Sequence, residues 1–187
     1  MQLNDIINRV EKRLIVIFGI LRGQLINLLY RNVKIGFGTY VEKDVTFDTL
    51  NGGKIKIGEN CILCKGSIFN TEGGNITIGN NCSFNPYISI YGQGGVTIGN
   101  GVRIATQAVI LPSNHNFLDK NKYIYEQGLS KKGILILDNV WIGANAVILD
   151  GVTIDFGSII GASAVVTKNT NKFSINGGVP SKQIKEY

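Results

Sequence analysis

The sequence predicts an all-β solenoid preceded by a helical segment, and three observations predict it. Ile-Gly recurs at Ile35-Gly36, Ile57-Gly58, Ile78-Gly79, Ile98-Gly99, Ile142-Gly143 and Ile160-Gly161, at intervals of 22, 21, 20, 44 and 18 residues. From Ile136 the chain sets Ile136, Ile142, Ile148, Ile154, Ile160 and Val166 six residues apart. Ahead of the repeats, Leu3, Ile6, Ile7, Val10, Leu14, Ile17, Phe18, Leu21, Leu25, Leu28 and Leu29 recur at helical spacing instead. Three hexads make one coil, each hexad one flat side, and the 44-residue interval is two coils plus an inserted loop.

Residues 1–31 form the helical segment, with Asn4 or Asp5 as the expected N-cap. An open solenoid end must be shielded, so this segment is expected to cover the first coil. The alternative is a helix lying peripherally on the inner leaflet of a membrane, which its basic residues and apolar run would suit. Residues 32–187 form the repeat domain. Residues 33–115 are coils with short extensions at one corner, Thr49–Gly53, Thr71–Gly74 and Gly92–Gly95, each with turn chemistry. Residues 116–135 are a polar excursion loop, residues 136–171 two regular coils, and residues 172–187 a tail.

Within a hexad one large aliphatic and one small or β-branched residue point inward. In the last coils the smaller set is Val140, Ala146, Val152, Ser158 and Ala164. A single hexad cannot bury its own apolar side, so the stack is the core. Glycine, 24 residues against 3 prolines, supplies the corners, and the absence of glycine at every third place excludes collagen.

Apolar content of 44% excludes a disordered chain. No apolar run reaches the ~18 residues of a membrane span, and no small-residue cleavage site follows Leu14–Leu21, so a secretory signal is not expected. The net charge of +6 gathers at the two ends: Arg9, Lys12, Arg13, Arg22, Arg31 and Lys34, then Lys168, Lys172, Lys182 and Lys185. No aromatic-plus-basic motif accompanies it, and nucleic acid is not an expected partner. Cys61 and Cys82 hold equivalent hexad places one coil apart and read as small buried side chains. The Cys61-to-Cys64 spacing has no second pair and no strand-to-helix context, so neither zinc nor thioredoxin-like redox is expected. Three cysteines without a secretory signal fit reduced thiols in a cytoplasmic protein.

His115, the only histidine, sits at the one large break in the period, flanked by Ser113, Asn114 and Asn116. A histidine is a natural general base near neutral pH. A zinc hydratase on such a solenoid would need three histidine ligands, and one is present.

These hexads, together with Asn114-His115-Asn116-Phe117, Glu126-Gln127-Gly128, Asn139-Val140-Trp141-Ile142-Gly143-Ala144-Asn145 and the segment from Val165-Val166-Thr167-Lys168 to Gly177-Gly178-Val179-Pro180-Ser181-Lys182, resemble the hexapeptide-repeat acetyltransferases. The nearest branch is the sugar O-acetyltransferases of capsule, O-antigen and exopolysaccharide clusters, related to the maltose, galactoside, nodulation-factor and xenobiotic acetyltransferases. The resemblance spans roughly residues 33 to 185. Asn169-Thr170-Asn171-Lys172 departs from it, where the family often has an acid followed by prolines. A serine acetyltransferase would carry a much larger helical domain than residues 1–31.

The resemblance implies a left-handed parallel β-helix, a homotrimer with its sites between neighbouring subunits, acetyl-CoA as co-substrate, no metal, and a sugar or polysaccharide acceptor. It implies His115 as base, with a backbone carbonyl, Asn85 or Glu126 orienting the ring. It places the Ala144 N–H at the oxyanion, the Ala162 backbone on the pantetheine arm, and Trp141, Thr167, Lys168, Lys182 and Lys185 along the cofactor. Trp141 reads equally as packing, within the coil or at a subunit interface, and Asn85, Tyr87 and Glu126 are candidate acceptor contacts. The acceptor alternatives are an amino sugar, acylated on nitrogen, or a xenobiotic hydroxyl; a scaffold without activity is the rival class.

Overall fold

The computed structural model describes residues 3–187, with side chains from Glu11 onward. The helix α1, Leu3–Leu29, is followed by short strands stacked on three faces. The first face carries Val33–Ile35, Ile55–Ile57, Ile76–Ile78, Val96–Ile98, Ile134–Ile136 and Thr153–Ile154. The second carries Tyr40–Val41, Ile62–Leu63, Ser83–Phe84, Arg103–Ile104, Trp141–Ile142, Ile159–Ile160 and Ser174–Gly177. The third carries Thr46–Asp48, Ile68–Asn70, Ser89–Tyr91, Val109–Ile110, Val147–Ile148 and Val165–Val166. Neighbouring rungs pair in parallel, and the first four Ile-Gly pairs lie in register on the first face, as Ile35↔Ile57 and Ile57↔Ile78 show. Ile98 pairs with Ile136, not with Ile142, so the 44-residue interval is one coil with its excursion plus one further side rather than two coils and a loop. Ile142-Gly143 and Ile160-Gly161 belong to the second face.

The hexad reading places the core correctly. Ile136, Ile142, Ile148, Ile154, Ile160 and Val166 are buried, and so are Val140, Ala146, Val152, Ser158 and Ala164. Cys61 and Cys82 are buried free thiols in adjacent rungs, and Cys64 is half-buried. In the first coils three rings supply the bulk: Phe47 stacks on Phe69 at 5.5 Å, and Phe69 meets Phe84 edge-on at 5.6 Å.

The corners between the first and second faces, and between the second and third, each hold one residue with positive φ. Glycine or asparagine serves at Gly38, Asn60, Asn81, Gly101, Asn139, Gly66 and Asn145, but Tyr87 and Phe173 also adopt it, at 64° and 53°. Such a conformation costs an L-residue about 1–2 kcal/mol, so the ladder on either side must hold it. The corner between the third and first faces is looser. It takes the three glycine-bearing extensions and then the excursion, whose stems Asn114–His115 and Leu129–Ser130 pair antiparallel.

Both ends are closed. Leu3 is already helical, so Asn4 and Asp5 fall inside the first turn of α1 rather than capping it. Only the second half of α1 covers the first coil. Gly19 and Gly23 are buried there; a Cβ on Gly23 would lie 2.9 Å from the Thr39 carbonyl, so glycine permits the close approach. Arg22 donates to the Val41 carbonyl at 2.6 Å and Gln24 to that of Gly36 at 3.3 Å. At the other end the tail is more than an extension: Ser174–Gly177 adds a rung beside Ile159–Ile160, and Lys182–Glu186 folds back on it antiparallel. The loop boundary also shifts, because Ile134 and Leu135 already belong to a first-face strand.

Candidate active site

His115 is presented on the first stem of the excursion, exposed, with its backbone paired to Leu129. The stems are fixed from below. Asp150 accepts the Asn114 side-chain amide at 3.1 Å through one carboxylate oxygen and the Ser130 hydroxyl at 3.0 Å through the other. One acid thus ties together both strands that carry His115. Ser113 donates to Gln93 in the preceding coil. Asp150 was not singled out from the sequence; the available signal was an acid at an otherwise turn-forming corner, Asp150-Gly151.

The proposed orienting groups do not reach the His115 ring within the chain. Glu126 accepts the Tyr123 N–H at 3.0 Å and the Tyr125 hydroxyl at 3.3 Å, which turns its carboxylate into its own 3-10 turn, Ile124–Gln127. Asn85 is exposed at the corner between the second and third faces. The loop read as polar also displays Phe117, Leu118 and a stacked Tyr123–Tyr125 pair at 5.9 Å.

The remaining residues fall on two edges. Asn85, Tyr87, Ala144 and Ala162 lie along the corner between the second and third faces, with Trp141 exposed just before it on the second face. The Ser163 N–H donates to the Ala144 carbonyl at 2.8 Å, so the last two coils stack closely there. A Cβ on Gly143 would lie 2.6 Å from the Ala162 nitrogen, which requires glycine. The N–H groups of Ala144 and Ala162 take part in no backbone hydrogen bond among the described residues. His115, Thr167 and Lys168 lie on the opposite edge of the third face. A flat side of about five residues at about 3.3 Å each separates the edges by roughly 15 Å. One chain therefore brings His115 to neither Ala144 nor Asn85.

Lys168 and Lys182 share a hollow of about 260 Å³ with Asn169, Asn171 and Ser181, where the buried Ser181 hydroxyl has no partner. Lys185 is exposed on the last strand and does not line that hollow. Among the described residues no cluster of three His, Cys, Asp or Glu is arranged to hold a metal ion.

The family model for bacterial transferase hexapeptide repeats matches residues 133–168, the regular coils that carry Ala144 and Ala162. WbbJ of Escherichia coli K12, which carries the name lipopolysaccharide biosynthesis O-acetyl transferase, is 30% identical over 172 residues, covering 87% of this chain and 84% of that protein. The chain belongs to the hexapeptide-repeat acyltransferases. Galactoside O-acetyltransferase of the same organism is 35% identical over 133 residues, 70% of this chain and 63% of that enzyme. Among solved structures, AntD, an N-acyltransferase from Bacillus cereus in complex with dTDP and coenzyme A, superposes with a TM-score of 0.73 over 87% of each chain, at 22% identity. That likeness shows the solenoid fold alone.

Proposed function

We propose that the protein transfers acetyl from acetyl-CoA to a hydroxyl of a sugar, in a cell-surface polysaccharide or its precursor. The observation that carries this reading is the pairing of an exposed histidine at the period break with unpartnered backbone N–H groups on the other edge of the coil. His115 takes the proton of the acceptor hydroxyl as its oxygen attacks the thioester carbonyl. The Ala144 N–H, fixed by the ladder, donates to the oxygen as it gains charge. Collapse breaks the carbon–sulfur bond, and the imidazolium returns the proton to the leaving thiolate. The Ala162 N–H suits an amide of the pantetheine arm, Trp141 the wall beside it, and Thr167, Lys168 and Lys182 the anionic end, with Lys185 more remote. Coenzyme A in AntD and the sugar-related names of WbbJ and galactoside O-acetyltransferase support the cofactor and the acceptor class.

Because His115 and Ala144 stand on different edges, a site using both draws them from two copies. A closed homotrimer supplies three such sites. A left-handed coil, free thiols in the cytosol, and acceptor contacts from Asn85 and Tyr87 of a neighbouring copy belong to the same reading. Complementation tests the shared site. Ala144→Pro removes the N–H, and Pro86 already occupies the equivalent corner two coils earlier. His115→Ala and Ala144→Pro should each be inactive alone and regain partial activity when co-expressed. No recovery, with both variants assembled, overturns the shared site.

The reaction class is read from a panel of sugars with acetyl-CoA, following released thiol. Label on the product should leave under mild alkali or hydroxylamine, as an ester does. Label that survives both is an amide and assigns the protein to amino-sugar N-acylation. No thiol release with any acceptor removes the catalytic reading.

A further inference from the structure

We propose that the outer side of α1 docks on an anionic lipid bilayer. The side that closes the first coil is narrow, made of Gly19, Gly23 and Ile26, all buried. At about 100° per residue, the opposite side carries Leu14, Ile17, Phe18, Leu21, Leu25 and Leu28, which are 46–83% exposed. A stripe that belonged to the solenoid core would face the first coil; this one faces away from it. The same spacing continues in the sequence through Leu3, Ile7 and Val10.

Three features favour lipid as the occupant. First, α1 is 27 residues, about 40 Å, and all of residues 11–18 are exposed, so the stripe runs on beyond the coil that the helix closes. Second, residues 9–34 hold six basic side chains, Arg9, Lys12, Arg13, Arg22, Arg31 and Lys34, against the single acid Glu11. An apolar stripe with basic flanks is the pattern of helices that lie in the plane of an anionic surface. Third, the stripe forms one wall of an open hollow of about 1120 Å³, whose other wall balances Lys43 and Lys65 with Glu42 and Asp44. The hollow therefore adds apolar room beside the stripe, while the positive charge comes from the helix and its flanks. No helix among the described residues is long and apolar enough to cross a membrane, so the contact is peripheral. In the trimer proposed above, with its axis along the coils, three stripes share one end of the assembly and bind with avidity, each contact raising the effective concentration of the next. The argument for a single chain does not depend on that trimer.

Flotation of the full chain with vesicles of phosphatidylcholine, with and without phosphatidylglycerol, tests this, and its readout is independent of activity. The protein should float with the anionic vesicles, and less so in high salt. Leu21→Glu with Leu25→Glu should lower partitioning at least about tenfold and leave the melting temperature unchanged. Lys12→Glu with Arg13→Glu, on the part of α1 whose side chains are all exposed, should act in the same direction. Absence of flotation by the parent overturns the proposal. So does a change in oligomeric mass for the leucine variants, which makes the stripe a contact between copies, or retained flotation by both variant pairs.

Discussion

Asn27 and Ile35 form a closed pair. The Asn27 side-chain oxygen accepts the Ile35 N–H at 2.7 Å, and its amide donates to the Ile35 carbonyl at 2.9 Å. A side-chain amide thus does for the open edge of the first coil what the next rung does everywhere else. Asn27→Ala leaves both backbone groups without their partner. The expected loss is about 1–3 kcal/mol, read by urea unfolding. A variant as stable as the parent would show that solvent satisfies the edge equally well.

His115→Ala should lower turnover by about 10²–10⁴, or about 3–6 kcal/mol of barrier. Circular dichroism, oligomeric mass and coenzyme A affinity should be unchanged, since the side chain is exposed and supports no packing. Retention of most of the activity would remove His115 as the base.

Asp150 acts on His115 only through Asn114 and Ser130, so it is a positioning residue. Asp150→Ala should reduce kcat by about tenfold or more through misplacement of the reacting groups, with KM for acetyl-CoA little changed. Asp150→Asn, which keeps one good acceptor, should lie between Asp150→Ala and the parent. Equal kcat in all three proteins would reduce the carboxylate to a structural tie.

Lys168→Ala combined with Lys182→Ala should weaken acetyl-CoA binding and flatten its dependence on salt. Charges at an open hollow are screened over about 8–10 Å at moderate ionic strength. Isothermal titration with acetyl-CoA and dephospho-CoA separates the phosphates. Affinity that is the same for both ligands, and for the variant, would place the nucleotide elsewhere.

Burial raises the Cys64 thiol pKa, and the nearby Glu42 carboxylate adds to it. The folded value lies above the unfolded one, so this thiol's contribution to stability is complete below the unfolded pKa and is lost as pH rises through the folded value. Alkylation by iodoacetamide should be slow in the native protein near the pKa of a free thiol and become rapid for all three cysteines in urea. Fast native labelling of Cys64 would contradict the assignment.

The interior was legible because each hexad repeats one geometric task. Ile136 through Val166 could be placed inside from spacing alone, and so could Cys61 and Cys82. The orientation of α1 was not legible. Spacing identifies the leucine stripe as the apolar side and predicts its burial, yet close backbone approach at Gly19 and Gly23 wins the contact with the coil. The Asp150 clamp was hidden for another reason: its partners lie 36 and 20 residues away, across a loop with no periodicity. At the corners, asparagine announces positive φ at Asn60 and Asn139, but nothing in a tyrosine announces it at Tyr87. The sequence proposes a set of candidate site residues but not their arrangement, because one-dimensional spacing does not say that His115 and Ala144 occupy different edges.

The looser corner between the third and first faces has a consequence for how such a protein changes over time. Val109↔Val147 and Ile110↔Ile148 stay paired across the excursion as regularly as rungs joined by a short turn. Chain length is therefore a free variable at that corner and a fixed one at the other two, where a single added residue would break register through every later coil. The segment between Pro112 and Gly133 can be lengthened, shortened or exchanged, and on the proposed function its acceptor with it, while the stacked coils are inherited unchanged.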